Sequence, residues 1–142
     1  KTDWGVDADL WSCPSFIELA RDCRDTTRWN LLHPTEKPHR SHVDACLADT
    51  EGPVIAATDY MRMYADKIRG CVPRRYHVLG TDGFGRSDTR EQLRRFFEVD
   101  RYNIAYAALY ALYRQGQLSM GELLTARERL GIDPAKVNPA LV

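Results

Sequence analysis

The sequence predicts an α/β fold in which a mainly parallel sheet is covered by helices on both faces. Residues 76–97, YHVLGTDGFGRSDTREQLRRFF, read as a short buried strand, a glycine-rich turn and then a helix, which is the repeating unit of that architecture. Val54–Ala57, VIAA, is a continuous apolar run bounded by turn signals, the pattern of a central parallel strand. Residues 7–11, DADLW, read as another short internal strand ahead of a capped helix. Three strand–helix units in succession imply parallel strands joined by helical crossovers.

A chain of 142 residues is one domain by size, residues 1–142, and long enough to bury a core. Its 20 basic and 20 acidic residues balance, so nothing draws it to nucleic acid or to a membrane surface. No apolar run approaches the roughly 18 residues of a spanning helix. No signal peptide is read at the start, and an opening lysine fits a fragment or processed piece.

Element by element, Ser15 with Glu18 forms a capping box, and Phe16, Leu19 and Ala20 give the helix that follows an apolar face. Asp22, Arg24 and Asp25 are expected to end it in water, with a further helical turn or two over residues 26–32, stopped by Pro34. Residues 33–42, HPTEKPHRSH, are a polar connector in which Pro34 and Pro38 forbid a long helix. A short helix is expected over residues 43–48, then a turn at Glu51-Gly52-Pro53 before the VIAA strand. Thr58 or Asp59 should cap a helix over residues 60–69, with Met61, Tyr64, Ala65 and Ile68 on its buried face and Gly70 as its C-terminal cap. After the glycine turn, Asp88 with Glu91 makes a capping-box-like start. Residues 101–114 form the longest periodic helix, apolar nearly all round and so buried on more than one side, closed by Gly116. Ser119 and Glu122 box the start of the last helix and Gly131 ends it, while Pro134 and Pro139 make the tail irregular.

Independent chemistry is sparse. The glycines at 80, 83 and 85 are spaced G-x-x-G-x-G, which is neither the dinucleotide fingerprint nor a P-loop, and Asp82 and Asp88 would repel a phosphate. No G-x-S-x-G or H-E-x-x-H is present. His39, His42 and Cys46 could share one face of a helix, yet no fourth ligand and no zinc spacing accompanies them, so no metal site is assigned and His33, His39 and His42 read as loop or interface residues. Cys13, Cys23, Cys46 and Cys71 make no C-x-x-C and are expected to be free, mostly buried thiols, the default of an intracellular enzyme. Tyr102, Tyr106, Tyr110 and Tyr113 form one stripe, suited either to docking another domain or subunit or to packing on the chain's own sheet. Arg86, Arg90, Arg94 and Arg95 could recruit an anion or an acidic partner, which would make the chain a free-standing binding or regulatory module; the competing reading is a solvated face paired with Asp88, Glu91 and Glu98.

The stretch LGTDGFGRSDTREQLRRFFEVD closely resembles the C-terminal domain of the homodimeric pyruvate dehydrogenase decarboxylating component, a thiamine-diphosphate enzyme of the transketolase superfamily. GVDADLWSCPSFIELARDC, RWNLLHP, GPVIAATDYMRMYADKIR and the ending DPAKVNPALV resemble the same family, in order, over nearly the whole chain. The resemblance implies a three-layer α/β/α sandwich of the transketolase C-terminal type, present as the last domain only and lacking its first strand and helix. It implies that thiamine diphosphate and Mg²⁺ are bound by other domains, since the family's G-D-G and asparagine-pair motif is absent; Thr81-Asp82-Gly83 is not that motif. None of the family's catalytic or cofactor-binding residues maps onto this sequence. The implied partners are the preceding domains, the second subunit of a homodimer and the acyltransferase of the complex, in the cytoplasm. The expected role is structural, with interface candidates Asp82, Phe84, Arg86, Tyr102, Tyr106, Tyr110 and Tyr113. Phe84, between two glycines at the loop tip, is the expected anchor of a docking loop over residues 81–87.

Overall fold

The side-chain oxygen of Ser15 accepts a hydrogen bond from the Glu18 backbone at 3.2 Å and starts α1, Phe16–Leu32. The computed structural model describes residues 3–142. The break expected near residues 22–25 does not occur, because charged side chains simply line the outer face of one continuous helix, which stops just before Pro34. Ser41, buried to 2 % exposure, caps the short α2, His42–Leu47, through Asp44 N. The two strands, β1 (Val54–Ala57) and β2 (Tyr76–Leu79), pair in parallel with Val54 opposite Tyr76 and Ala57 opposite Leu79. Between them runs α3, only Arg62–Asp66, followed by a 3-10 turn at Arg69–Cys71.

The helix expected over residues 60–69 is therefore shorter, and neither Thr58 nor Asp59 caps it; Gly70 lies inside the 3-10 turn. Ala65 and Ile68 are buried as expected, whereas Met61 and Tyr64 stay 45 % and 37 % exposed. The next helix, α4 (Arg90–Phe96), is capped by Thr89 rather than Asp88: Gln92 N donates to the Thr89 hydroxyl, and the Asp88 carboxylate accepts from Thr89 N one step earlier. Asp100 caps α5, Arg101–Tyr113, and the Ser119–Glu122 capping box opens α6, Met120–Arg129, with both of its reciprocal bonds formed.

Side-chain alternation puts Val54, Ala56, Tyr76 and Val78 on one face of the sheet, where they pack with Ala20, Val43, Ala65, Ile68 and Val72 from α1, α2 and the α3 region. Burying each valine or isoleucine side chain there contributes about 1.5–3 kcal/mol. Tyr76 hides its hydroxyl in that core by donating to Ala65 O at 2.9 Å; burial, the nearby Asp66 carboxylate and Cys13 push its ionisation far upward despite Arg69. α5 lies against β1 and also carries α6, with Leu109, Leu123 and Ala126 at the centre of a second cluster. The two-sided burial expected of this helix is thus realised, with sheet on one side and helix on the other. Among the described residues no helix is long and apolar enough to cross a membrane.

Two expectations fail here. Residues 7–11 form no strand: the sheet has two strands among the described residues, and Leu10 and Trp11 stand 95 % and 60 % exposed. An extended segment becomes a strand only beside a partner ladder, and this one is instead held at its start by Trp4 and Val6, which pack onto the α5–α6 cluster. The cysteines are not all free either, since Cys23 and Cys71 are disulfide-bonded with Cα atoms 6.0 Å apart. Packing of α1 against the α3 region brings them together, a proximity that their separation of 48 residues conceals.

Candidate functional site

The glycine turn after β2 is fixed at its base and free at its tip. Thr81 N donates to Tyr60 O at 2.9 Å and its hydroxyl to Asp59 O at 2.8 Å, which ties the loop to the segment entering α3. Gly80 is required there, because a Cβ would stand 2.7 Å from Arg62 N and 2.8 Å from Tyr60 O. Asp82 supplies the cap that α3 lacks locally: its carboxylate accepts from Arg62 N at 3.0 Å and Arg62 Nε at 2.5 Å. Burial pushes the Asp82 carboxyl up, but those hydrogen bonds and the guanidinium charge outweigh it and hold it below the ordinary value. Gly83, at φ +107, presses against the C-terminal tail, where a Cβ would meet Pro139 O at 2.6 Å.

The tail is anchored in turn. The Lys136 ammonium donates to Arg95 O at 3.0 Å and Phe96 O at 2.7 Å, capping the end of α4, and pairs with Glu98 at 3.2 Å. Glu98 itself takes φ 60, an uncommon conformation for a residue with a Cβ. Between loop and tail lies a cavity of about 300 Å³, lined among others by Arg62, Gly80, Asp82, Glu98, Lys136 and Pro139. Its charged groups pair as Arg62 with Asp82 and Lys136 with Glu98. Beyond Gly83 the chain leaves the body: Phe84 is 80 % exposed and Gly85 has open space around it. Arg86 folds back over the Phe96 ring, 4.2 Å from its centroid.

The structure therefore gathers Asp82, Phe84 and Arg86 on one loop, in three distinct situations. The tyrosine stripe lies apart from them. Tyr106 and Tyr113 pack on the α5–α6 cluster. Tyr102 carries Arg95 and Arg101 over its ring and accepts from Arg101 at 2.6 Å. Tyr110, 42 % exposed, accepts from Arg114 at 3.2 Å.

Two of the three arginines of α4, Arg94 and Arg95, are engaged inside the chain. Arg94 grips Asp59 through two bonds of 3.2 and 2.8 Å, which together with its charge lower the Asp59 carboxyl against a smaller burial effect, and Arg90 adds to the shift at longer range. Arg95 donates to Gly131 O at 2.6 Å and reaches Asp100 at 3.4 Å. Their partners are not the local Asp88, Glu91 and Glu98 expected from sequence, because helix α4 packs beside Asp59 and the end of α6.

In the histidine connector, His33 and His39 both stack on the Trp29 ring, with centroids 4.3 and 3.5 Å from it, while His42 meets Cys46 at 3.5 Å. Asn30 holds the His39 backbone by two bonds. No group of three metal-ligating side chains forms among the described residues.

Sequence reasoning missed Lys136 and the tail segment Pro139–Leu141 as the loop's support. The prolines of DPAKVNP signalled irregularity there, and a lone lysine among them was the one available clue to a helix-capping role.

The family model described as transketolase-like TK C-terminal domain matches residues 1–100. The chain is 58 % identical, over 142 residues, to the pyruvate dehydrogenase E1 component of Cupriavidus necator, covering 100 % of this chain and 16 % of that relative. It is 54 % identical over 140 residues to the protein of the same name from Pseudomonas aeruginosa and 46 % identical over 140 residues to that of Escherichia coli K12, in both cases covering 98 % of this chain and 16 % of the relative. The chain thus spans about 16 % of the length of the curated relatives it matches.

Proposed function

The chain belongs to the transketolase-like C-terminal domain family, and from that premise we propose that it is the structural and interface domain, a single unit over residues 1–142, of a pyruvate dehydrogenase E1-type enzyme. The whole enzyme decarboxylates pyruvate with thiamine diphosphate and Mg²⁺ and passes the two-carbon unit to a lipoyl group; the cofactor supplies the electron sink for that step. This chain's residues do not fit that cofactor. The charged groups lining the cavity between the glycine loop and the tail already satisfy each other, and no cluster of ion-holding side chains is present among the described residues. In this reading cofactor and catalysis belong to other domains of the polypeptide. The partners are those preceding domains, the second subunit of a homodimer and the acyltransferase of the complex, in the cytoplasm.

The observation that carries the reading is the contrast within the loop: Phe84 is 80 % exposed on a segment whose base is fixed by Gly80, Asp82 and Gly83. A rigidly presented aromatic loses little conformational freedom on docking, and such an anchor is often worth about 2 kcal/mol or more in a partner pocket. The test is Phe84→Ala in the full-length enzyme, followed by sedimentation and by specific activity across a dilution series. Weakened association, with activity falling on dilution and recovering at high concentration, is expected. An unchanged dimer with unchanged activity overturns the interface role. Calorimetric titration of this chain with thiamine diphosphate and Mg²⁺ should give no binding heat, and micromolar binding would contradict the division of labour.

A further inference from the structure

We propose that Cys23 and Cys71 form a reversible redox staple, closed and opened by exchange with low-molecular-weight disulfides and thiols, that locks α1 to the turn leading into β2. The two cysteines sit differently. Cys23 is in the middle of α1 and 6 % exposed, whereas Cys71 is half-buried in the 3-10 turn Arg69–Cys71. Exchange therefore has one accessible end. The surrounding core does not need the bond for cohesion: Ala20, Val43, Ala65, Ile68, Val72, Tyr76 and Val78 already pack together there, and a reduced cysteine is itself a good small core residue. Cys13 and Cys46 remain thiols. One bond beside two thiols is not the saturated framework of a small secreted domain; it suits a chain whose thiols are in exchange.

The steps balance without any other reactant. The Cys71 thiolate attacks one sulfur of a small disulfide, whose S–S bond breaks and releases one thiolate, leaving a mixed disulfide on Cys71. Cys23 then loses its proton to solvent and attacks the Cys71 sulfur, which expels the second thiolate and closes the protein bond. Two electrons pass from the dithiol to the small disulfide, and excess small thiol reverses both steps. The closed bond restrains the segment that bears on the glycine loop. Arg69, two residues before Cys71, holds Tyr76 O at 2.8 Å and Asp66 through its guanidinium, and α3 begins at the Arg62–Asp82 contact at the loop base.

The test equilibrates the chain in glutathione buffers of stepped oxidised-to-reduced ratio, then alkylates and weighs it. The expected result is a graded passage from four alkylated cysteines to two, reversed by dithiothreitol, with melting about 10 °C higher in the closed form. A second arm uses Cys23→Ser and Cys71→Ser: glutathione should accumulate as a mixed disulfide on Cys71 in the first, and far less on Cys23 in the second. A bond that stays closed at the most reducing ratio, a bond that never forms, or equal glutathione on Cys71 and Cys23 in the two variants, located by peptide mapping that sets aside Cys13 and Cys46, would each overturn the proposal.

Discussion

The base and the tip of the glycine turn after β2 stand in opposite environments. At the base, Gly80 and Gly83 approach other backbone so closely that neither has room for a Cβ, and Asp82 is bound to Arg62 from two sides. Immediately beyond Gly83, Phe84 is 80 % exposed and Gly85 has open space around it. The three glycines look alike in sequence and do different work. Two are demanded by crowding, whereas Gly85 sits in open space. The lesson is that exposure here does not mean looseness: the tip is free because the base is fixed, by the start of α3 on one side and by the C-terminal tail on the other.

The strongest way to break that contrast is to add a methyl group at the base. Gly83→Ala combines a backbone clash with a positive φ, and Gly80→Ala drives a Cβ into Arg62 N; each should cost about 3 kcal/mol in a urea melt of this chain. Gly85→Ala should stay within about 0.5 kcal/mol. Equal costs at all three positions would show that the base is not specially fixed.

Removing the tail's anchor comes next. Lys136→Met keeps the aliphatic stem but strips the ammonium from the carbonyls of Arg95 and Phe96 and from Glu98, an expected loss of about 1.5 kcal/mol. If the tail supports the loop, protection of the Gly83 amide against hydrogen exchange should fall in the same variant; an unchanged rate would confine Lys136 to capping α4.

Asp82→Asn tests the other support and should cost about 1 kcal/mol, as loss of a helix cap does. Its pH signature sharpens the point. The folded carboxyls of Asp82 and Asp59 both lie below the ordinary aspartate value, so their stabilisation is present above that value and is lost as the pH falls through the depressed folded values. Melting temperature should therefore drop on acidification below about pH 4, less steeply in Asp82→Asn. An identical slope in the variant would mean that the Arg62 contact contributes nothing.

The smallest effect is expected at the tip. Phe84→Ala in this chain should change stability by less than about 0.5 kcal/mol, since the residue is 80 % exposed there. A loss of several kcal/mol in the isolated chain would make Phe84 ordinary core and end its reading as an anchor.

Much of the fold was readable locally. Ser15 and Ser119 with their partners three residues on marked two helix starts, the apolar VIAA run and YHVL marked both strands, and Gly116 and Gly131 marked two helix ends at φ 76 and 62. All of these depend on contacts within about one helical turn or on burial pattern, which a linear sequence records. The same local logic slipped by one residue at Asp88, where two neighbouring side chains could both cap and only the actual backbone path selects Thr89.

The tertiary structure decided whatever depends on segments distant in the chain. It chose Asp59 rather than a local acid for Arg94, placed Lys136 under the end of α4 and joined Cys23 to Cys71. It also left residues 7–11 without a strand, although their composition suits one. A side chain's identity fixes what it can bond to, while the packing of helices on the sheet fixes what comes within reach; a strand, a disulfide and a long-range ion pair each need both.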